Sequence, residues 1–327
     1  MDREMETTGL GDTRHSPLGL KPAAQRLMWD RDGRDWPNRG SSRFVSAASL
    51  VWHVQIMGRG PTLLLLHGTG SSTHSWRDLA PLLARHFTVI TPDLPGHAFT
   101  QAPLAGRYSI AAFSAAVSSL LDVLKVRPAI AVGHSAGAAI LARMNLDGQL
   151  AACSIVSING AFLPLPGLSG VIFPPMAKVL ARIPHIPGLF AQHAANSPLV
   201  ERLLSETGSS IDRDGAGFYA RLARNPDHVR AALSMMAGWN LSSLGPALPR
   251  VSVPMLLAAG DHDRTIPPRH ARELAGRIPR ARHALLTGLG HLAHEEAPRR
   301  AAALVLRWAR AQHAWRSNCA NQKGPAR

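Results

Sequence analysis

Residues 129–140 read AIAVGHSAGAAI. An apolar run meets Gly133-His134-Ser135-Ala136-Gly137, and small residues follow. The run fits a buried strand, and Ala138 and Ala139 suit a helix that must approach a sheet closely. A serine between two glycines at that junction fits a sharp strand-to-helix turn that exposes its hydroxyl. Such a turn strains the backbone at Ser135, so its neighbours must be small, and Gly133 and Gly137 meet that need. The helix start also brings backbone N–H groups and a positive dipole end to the serine oxygen. G-x-S-x-G is short enough to arise by chance, and a serine hydroxyl is a poor nucleophile without a base. The rest of the chain must supply the partners.

Three further pieces lie in the order this chemistry uses. His67-Gly68-Thr69-Gly70 follows the apolar run TLLLL at 62–66. A loop there offers the Thr69 N–H to an oxyanion, and the second N–H is that of Ala136, beside the serine. AAGDHDRTIP at 258–267 ends another apolar run and brings a carboxylate, from Asp261 or Asp263, to the same sheet edge. Gly288-Leu289-Gly290-His291 follows the last expected strand and places an imidazole on a turn.

The surrounding pattern agrees with an α/β fold. Strands are expected at 43–46, 50–57, 62–66, 88–91, 129–132, 154–158, 253–259 and 283–286. Helices are expected at 76–85, 110–124, 136–145 and 298–313. Apolar strands alternating with helices argue for a mostly parallel sheet covered on both faces. Residues 28–160 and 250–313 form this core. Residues 161–249 break the rhythm, with many prolines and helical pieces at 176–182, 199–206, 217–224 and 229–236, and read as a helical cap. Residues 1–27 read as a flexible extension, with Met28 an alternative start, and 314–327 as a basic tail.

The chain has 327 residues, 46% hydrophobic and 17% charged, enough for one large domain with an insertion. Lys and Arg number 36 against 21 Asp and Glu, a formal charge of +15. The arginines are scattered and no RNP, zinc-finger or helix-turn-helix signature accompanies them, which sets nucleic acid aside. A composition favouring Arg over Lys explains the surplus as well as a partner site does. Cys153 and Cys319 form no disulfide framework or metal spacing, the N-terminus has no apolar signal region, and no run of about 18 apolar residues exists to span a bilayer. A cytoplasmic protein is the expectation.

Residues from about 29 to 310 resemble the α/β-hydrolase superfamily. The strand–HGTG loop, PDLPGH at 92–97, GHSAG and the paired G-x-x-D and GH segments carry the likeness. Three stretches are closer still to one branch: WDRDGRDWPNRGSSRFV (29–45), LLLLHGTGSSTHSWRDLAPLLARHFTVITPDLPGH (63–97) and VGHSAGAAI (132–140). They resemble the hydrolase-like magnesium chelatase accessory family of bacteriochlorophyll biosynthesis. The resemblance implies a role around magnesium insertion into protoporphyrin, with contact to the chelatase, to a tetrapyrrole or to the photosynthetic membrane. The superfamily spacing G-x-x-D-x-x-x-P matches Gly260, Asp263 and Pro267. It implies Asp263 as the acid of a Ser135–His291–Asp263 triad, with Asp261 a turn residue. Some relatives carry the acid one strand earlier, where Asn159 stands and supplies no charge. Ala98, after PGH, departs from many relatives in a way that touches only the loop's backbone freedom.

The chemistry needs no cofactor and no metal. Three readings follow: a serine hydrolase of a bulky hydrophobic ester or related acyl bond, a non-catalytic accessory factor, and a haloperoxidase-like or carbon–carbon bond hydrolase. His134, His67, Asp93 and Trp76 read as packing or loop residues, and His294 and Glu295 as a solvated helix start. No charged residue falls within 148–177. Its second half, 161–176, reads as lid packing or as an apolar wall for a large ligand. In the second case Arg182, Arg202, Arg213, Arg221 and Arg224 would meet propionates or anionic headgroups.

Overall fold

The computed structural model describes residues 27–103, 108–164, 183, 185–196 and 198–312. The expected extension before Leu27, the expected basic tail, Cys319, most of the apolar stretch 161–176, the helix expected at 176–182 and Arg182 lie outside them.

Eight strands among the described residues make one sheet in the order β1-β2-β4-β3-β5-β6-β7-β8. They are β1 Ser42–Ala47, β2 Leu50–Met57, β3 Thr62–Leu66, β4 Thr88–Pro92, β5 Ile130–His134, β6 Ser154–Ile158, β7 Met255–Gly260 and β8 Ala281–Leu286. β1 and β2 form an antiparallel hairpin, and β2 runs antiparallel to β4. Every pairing from β4 across to β8 is parallel.

The leucine run of β3 shows why this sheet needs two covered faces. Strand side chains alternate sides, so Leu64 and Leu66 enter one core and Leu63 and Leu65 the other. The first core is closed by helices Ile110–Val123 and Ala136–Leu146, the second by Leu79–Leu83 and Pro298–Ala311. All four leucines are fully buried, each contributing roughly 1.5–3 kcal/mol of transfer free energy.

Register then places the site. Leu66 lies beside Gly133, His134 beside Ile158, Ile158 beside Ala258 and Gly260 beside Leu286. The segments leaving β3, β5, β6, β7 and β8 therefore emerge along one sheet edge. They carry Thr69, Ser135, Asn159, Asp263 and His291 respectively. Carboxyl ends of parallel strands are where open α/β sheets bind ligands.

The helices differ from expectation at several points. The stretch 76–85 splits into a tight turn, Thr73–Trp76, and a helix, Leu79–Leu83, because Pro81 fits only a first helical turn. A helix at Arg269–Arg277 was not anticipated, since it buries only His270 and Leu274 and is otherwise largely charged. Between β6 and β7 the described residues form helices and no strand. The helices are Ile186–Asn196, Leu199–Glu206, Arg213–Ala223, Pro226–Gly238 and Leu244–Ala247. Asp212 caps the third by accepting from the Gly215 N–H at 2.6 Å, and Asn225 caps the fourth, which opens on Pro226.

Candidate active site

β5 ends at His134 and the next helix begins at Ala136, leaving Ser135 alone at the turn with φ 49° and ψ −116°. A serine in that region costs about 1–3 kcal/mol and persists only where its surroundings over-determine it. Here the Ser135 N–H donates to Ile158 O at 3.1 Å, while its carbonyl accepts from Ala138 N at 3.2 Å and Ala161 N at 3.1 Å. The flanking glycines are required by contact. A Cβ on Gly133 would stand 2.4 Å from Ala138 N, and one on Gly137 would stand 2.1 Å from Leu66 O. Ser135 is half-buried between the buried His134 and Ala136, so it is the member of the turn with access outward.

Asp263 and His291 come together as expected. His291 Nδ1 donates to Asp263 Oδ2 at 2.8 Å. The carboxylate is saturated with donors: Asn159 Nδ2 reaches Oδ2 at 2.6 Å, and the Thr265 and Ile266 N–H groups each reach Oδ1 at 2.8 Å. Asp261 instead accepts from the Gly288 N–H at 2.6 Å, tying two loops. With Nδ1–H committed to Asp263, the outer nitrogen Nε2 of His291 carries the lone pair. His134 Nε2 donates to the His291 carbonyl at 2.9 Å, and the two rings lie 4.8 Å apart, which sets His291 beside the turn that bears Ser135. Burial, with the neighbouring histidines, holds His134 well below the usual imidazole range, so it packs uncharged. Among the described residues no hydrogen bond joins the Ser135 hydroxyl to His291 Nε2. That contact is commonly long in unliganded sites and tightens on substrate binding.

The loop after β3 lies against the serine. A Cβ on Gly68 would stand 3.0 Å from Ser135 Cβ and from His134 Nδ1. Ala136 is the first helical residue, so its N–H is one of the orphan donors of a helix start. Neither it nor the Thr69 N–H is hydrogen-bonded among the described residues. Thr69 donates its hydroxyl to Met235 Sδ at 3.4 Å, a contact from the β6–β7 insertion. His67 holds the loop from within, through Nδ1 to Gly68 O at 2.8 Å and by accepting the Leu94 N–H at 2.9 Å. Asp93 is a loop anchor that takes the Thr73 N–H at 2.7 Å and His53 Nδ1 at 2.7 Å. Burial opposes its ionisation, but His53, His67 and the Thr73 N–H together outweigh it and hold the carboxyl at about 2. Ala98 takes φ 43° and gives its N–H to His228 Nδ1 at 3.1 Å, so the departure after PGH sits where backbone freedom matters.

Two expectations are corrected. His294 and Glu295 are not a solvated helix start: both side chains are fully buried. The helix Ala293–Glu296 is packed under the insertion, with His294 4.4 Å from the Trp76 ring. Sequence offered no periodicity over so short a helix, and the partners of Glu295, Arg77 and Tyr219, lie far away in the chain. Of the cap arginines, two of the four described are held by carboxylates of this chain. Arg221 makes a bidentate pair with Asp35 at 2.6 Å, and Arg202 pairs with Glu206 at 2.9 Å. Arg213 and Arg224 make no ion pair among the described residues. Of the 161–176 stretch, Phe162 is buried and Leu163 packs toward Gly245. Among the described residues no three His, Cys, Asp or Glu side chains converge as metal ligands, and no helix is long and apolar enough to cross a membrane.

A family model described as alpha/beta hydrolase fold matches residues 61–298. The magnesium-chelatase 30 kDa subunit of Rhodobacter capsulatus is 38% identical over 263 residues, which span 80% of this chain and 92% of that protein. The 2-hydroxy-6-oxo-6-phenylhexa-2,4-dienoate hydrolase of Burkholderia cepacia is 24% identical over 257 residues, spanning 75% and 86%. Among solved structures, an alpha/beta hydrolase fold protein from Burkholderia ambifaria superposes with a TM-score of 0.67 at 25% identity, covering 81% of this chain and 99% of that one.

Proposed function

This chain belongs to the α/β-hydrolase family, and from that premise we propose that it is a serine-nucleophile hydrolase of an ester or related acyl bond in a bulky hydrophobic substrate. The observation that carries the reading is the His291–Asp263 bond of 2.8 Å at the sheet edge where Ser135 stands strained at φ 49°. Ser135 Oγ attacks the carbonyl carbon as His291 Nε2 takes its proton. Negative charge gathers on the carbonyl oxygen, and the Thr69 and Ala136 N–H groups receive it. The imidazolium, steadied by Asp263, returns the proton to the leaving alcohol, and water repeats the sequence on the acyl-serine. Labelling with a fluorophosphonate probe tests this. Modification at Ser135 that disappears in Ser135→Ala and His291→Ala is the expected result; an unlabelled wild type overturns the reading.

A second reading draws on one relative. The match covers 92% of a protein named a magnesium-chelatase subunit. On this reading the chain serves magnesium insertion as an accessory factor that binds the chelatase or a porphyrin intermediate, and the triad is incidental. Complementation of a deletion strain separates the two: pigment synthesis restored by Ser135→Ala places the pathway role outside hydrolysis. The dienoate hydrolase among the relatives keeps a carbon–carbon bond substrate in view, to be assayed beside simple esters.

A further inference from the structure

The insertion meets the core through a buried polar chain that the proposed chemistry does not use. Glu295 stands four residues after His291 with its side chain fully enclosed. Its Oε2 accepts from Arg77 Nη1 at 2.6 Å, and its Oε1 accepts from the Tyr219 hydroxyl at 2.6 Å. When Glu295 is ionised and takes that proton, the Tyr219 oxygen is left to accept from the Ser71 hydroxyl, 3.1 Å away. Ser71 lies two residues beyond Thr69, and its own N–H donates to Gly68 O at 3.2 Å. That bond closes the turn in which the Thr69 N–H is carried.

The brace is tied at its other end too. Arg77 Nη2 reaches Asp212 Oδ1 at 3.1 Å, and Asp212 caps the helix Arg213–Ala223 that bears Tyr219. A Cβ on Gly215 would stand 2.5 Å from Arg77 Nη2, so this helix start rests on the guanidinium. The Tyr219 ring meets the His74 ring edge-on at 4.4 Å. Nearby, Leu292 N donates to Ser209 Oγ at 2.8 Å and Ser210 N to Glu296 Oε2 at 3.1 Å, so the root of the same helix is fastened to the His291 loop.

We infer that Tyr219 is a positioning residue for the Ser135 reaction: braced by Glu295 and Arg77, it holds Ser71, and through it the Thr69 N–H, where a developing oxyanion must be met. The inference rests on the hydrolase reading above. The physical need is plain. The loop carries Gly68 and Gly70, the latter at φ 74°, and glycine backbone is the least able to hold its own geometry. Oxyanion donors act only when fixed at hydrogen-bond distance before charge develops, and a displacement near 1 Å can cost on the order of a hundredfold. A buried carboxylate is expensive to desolvate, and apolar residues would pack the same space at less cost. What the polar chain adds is direction: one hydroxyl from the insertion aimed at one hydroxyl of the oxyanion loop. Seating of that helix and completion of the oxyanion site thereby become one event.

Tyr219→Phe tests this, because it removes one oxygen and keeps the ring. The fluorophosphonate labelling rate of Ser135 and the kcat and KM for a p-nitrophenyl ester are measured with thermal stability. The expected result is a labelling rate and kcat lower by about tenfold or more, KM within twofold, and Ser71→Ala giving the same loss. The double variant loses no more than either single one, since both remove the same bond. Glu295→Gln, which keeps a hydrogen-bonding group between Arg77 and Tyr219, retains more activity than Glu295→Leu. A labelled wild type whose rate Tyr219→Phe leaves within twofold overturns this inference alone, as does a loss confined to KM or fully additive losses. A wild type that does not label overturns the hydrolase reading and this inference with it.

Discussion

Replacing Asp263 with asparagine separates the chemistry of the site from its architecture. The carboxylate receives four donors, two on each oxygen: His291 Nδ1 and Asn159 Nδ2 on Oδ2, and the Thr265 and Ile266 N–H groups on Oδ1. An amide has one oxygen to offer, so one side must face an NH₂ group. Turning that NH₂ toward the two backbone donors would orphan both, at about 1–3 kcal/mol each. Turning it toward His291 is cheaper, because the ring can move its proton to Nε2 and Asn159 can rotate its amide. Asn159 Oδ1 has no partner as the structure stands, so rotation sacrifices little on that atom. The variant should therefore fold with a loss of about 1–2 kcal/mol. Its histidine, however, is trapped with a proton on the nitrogen that must take one from Ser135. The loss in reactivity should be on the order of 10⁴-fold. The assay pairs the fluorophosphonate labelling rate with the urea midpoint. A rate within tenfold of wild type refutes the tautomer argument. A stability loss above about 4 kcal/mol means instead that the backbone side was orphaned.

Burial raises Glu295 from its ordinary 4.5 to about 7, Arg77 and Tyr219 notwithstanding. Between those pH values the folded chain holds a proton that the unfolded chain has released, so stability from this group is full below 4.5 and falls as pH rises to 7. The fall is about 3 kcal/mol, and Glu295→Gln should remove that component from urea midpoints compared at pH 4.5 and 7.5. Measured above pH 7, where Glu295 is ionised, Arg77→Ala strands the enclosed carboxylate and should cost about 3–5 kcal/mol. Arg221→Ala breaks a pair whose Asp35 is 66% exposed, and should cost about 0.2–1 kcal/mol; equal midpoints for the two variants contradict this ordering. Gly137→Ala drives a methyl to 2.1 Å from Leu66 O and should lower stability by about 3 kcal/mol or prevent folding; a thermal midpoint near wild type would be inconsistent with the packing described. Ser135→Gly relaxes the positive φ and should raise stability by about 1 kcal/mol while abolishing labelling, and a lower midpoint would argue against stored strain at the turn.

The legible parts of this chain were those in which one local pattern dictates one structure. The β3 leucines, the glycine-flanked serine and the histidine after Gly290 announced strands and turns because backbone sterics leave few alternatives there. Asp263 is implied by the resemblance to the superfamily rather than by local pattern, and the structure bonds it to His291 while Asp261 takes the Gly288 N–H. The helix Arg269–Arg277 was missed because two buried positions make too thin a stripe. Glu295 was misread for a deeper reason. A charged residue in a short helix signals solvent unless its partners are known, and Arg77 precedes it by 218 positions. Convergence over such distances is a property of the folded chain, with no trace in local composition.

The parallel sheet also sets a timetable for synthesis. The nucleophile at residue 135 is translated long before the base at residue 291, and β8 with the loop behind it completes the sheet last. A nascent chain that has emerged only as far as β7 holds Ser135 without His291. Hydrolytic competence under the proposed chemistry therefore arrives only once the loop after β8 has been made, and a chain that stops short of His291 is inert by construction.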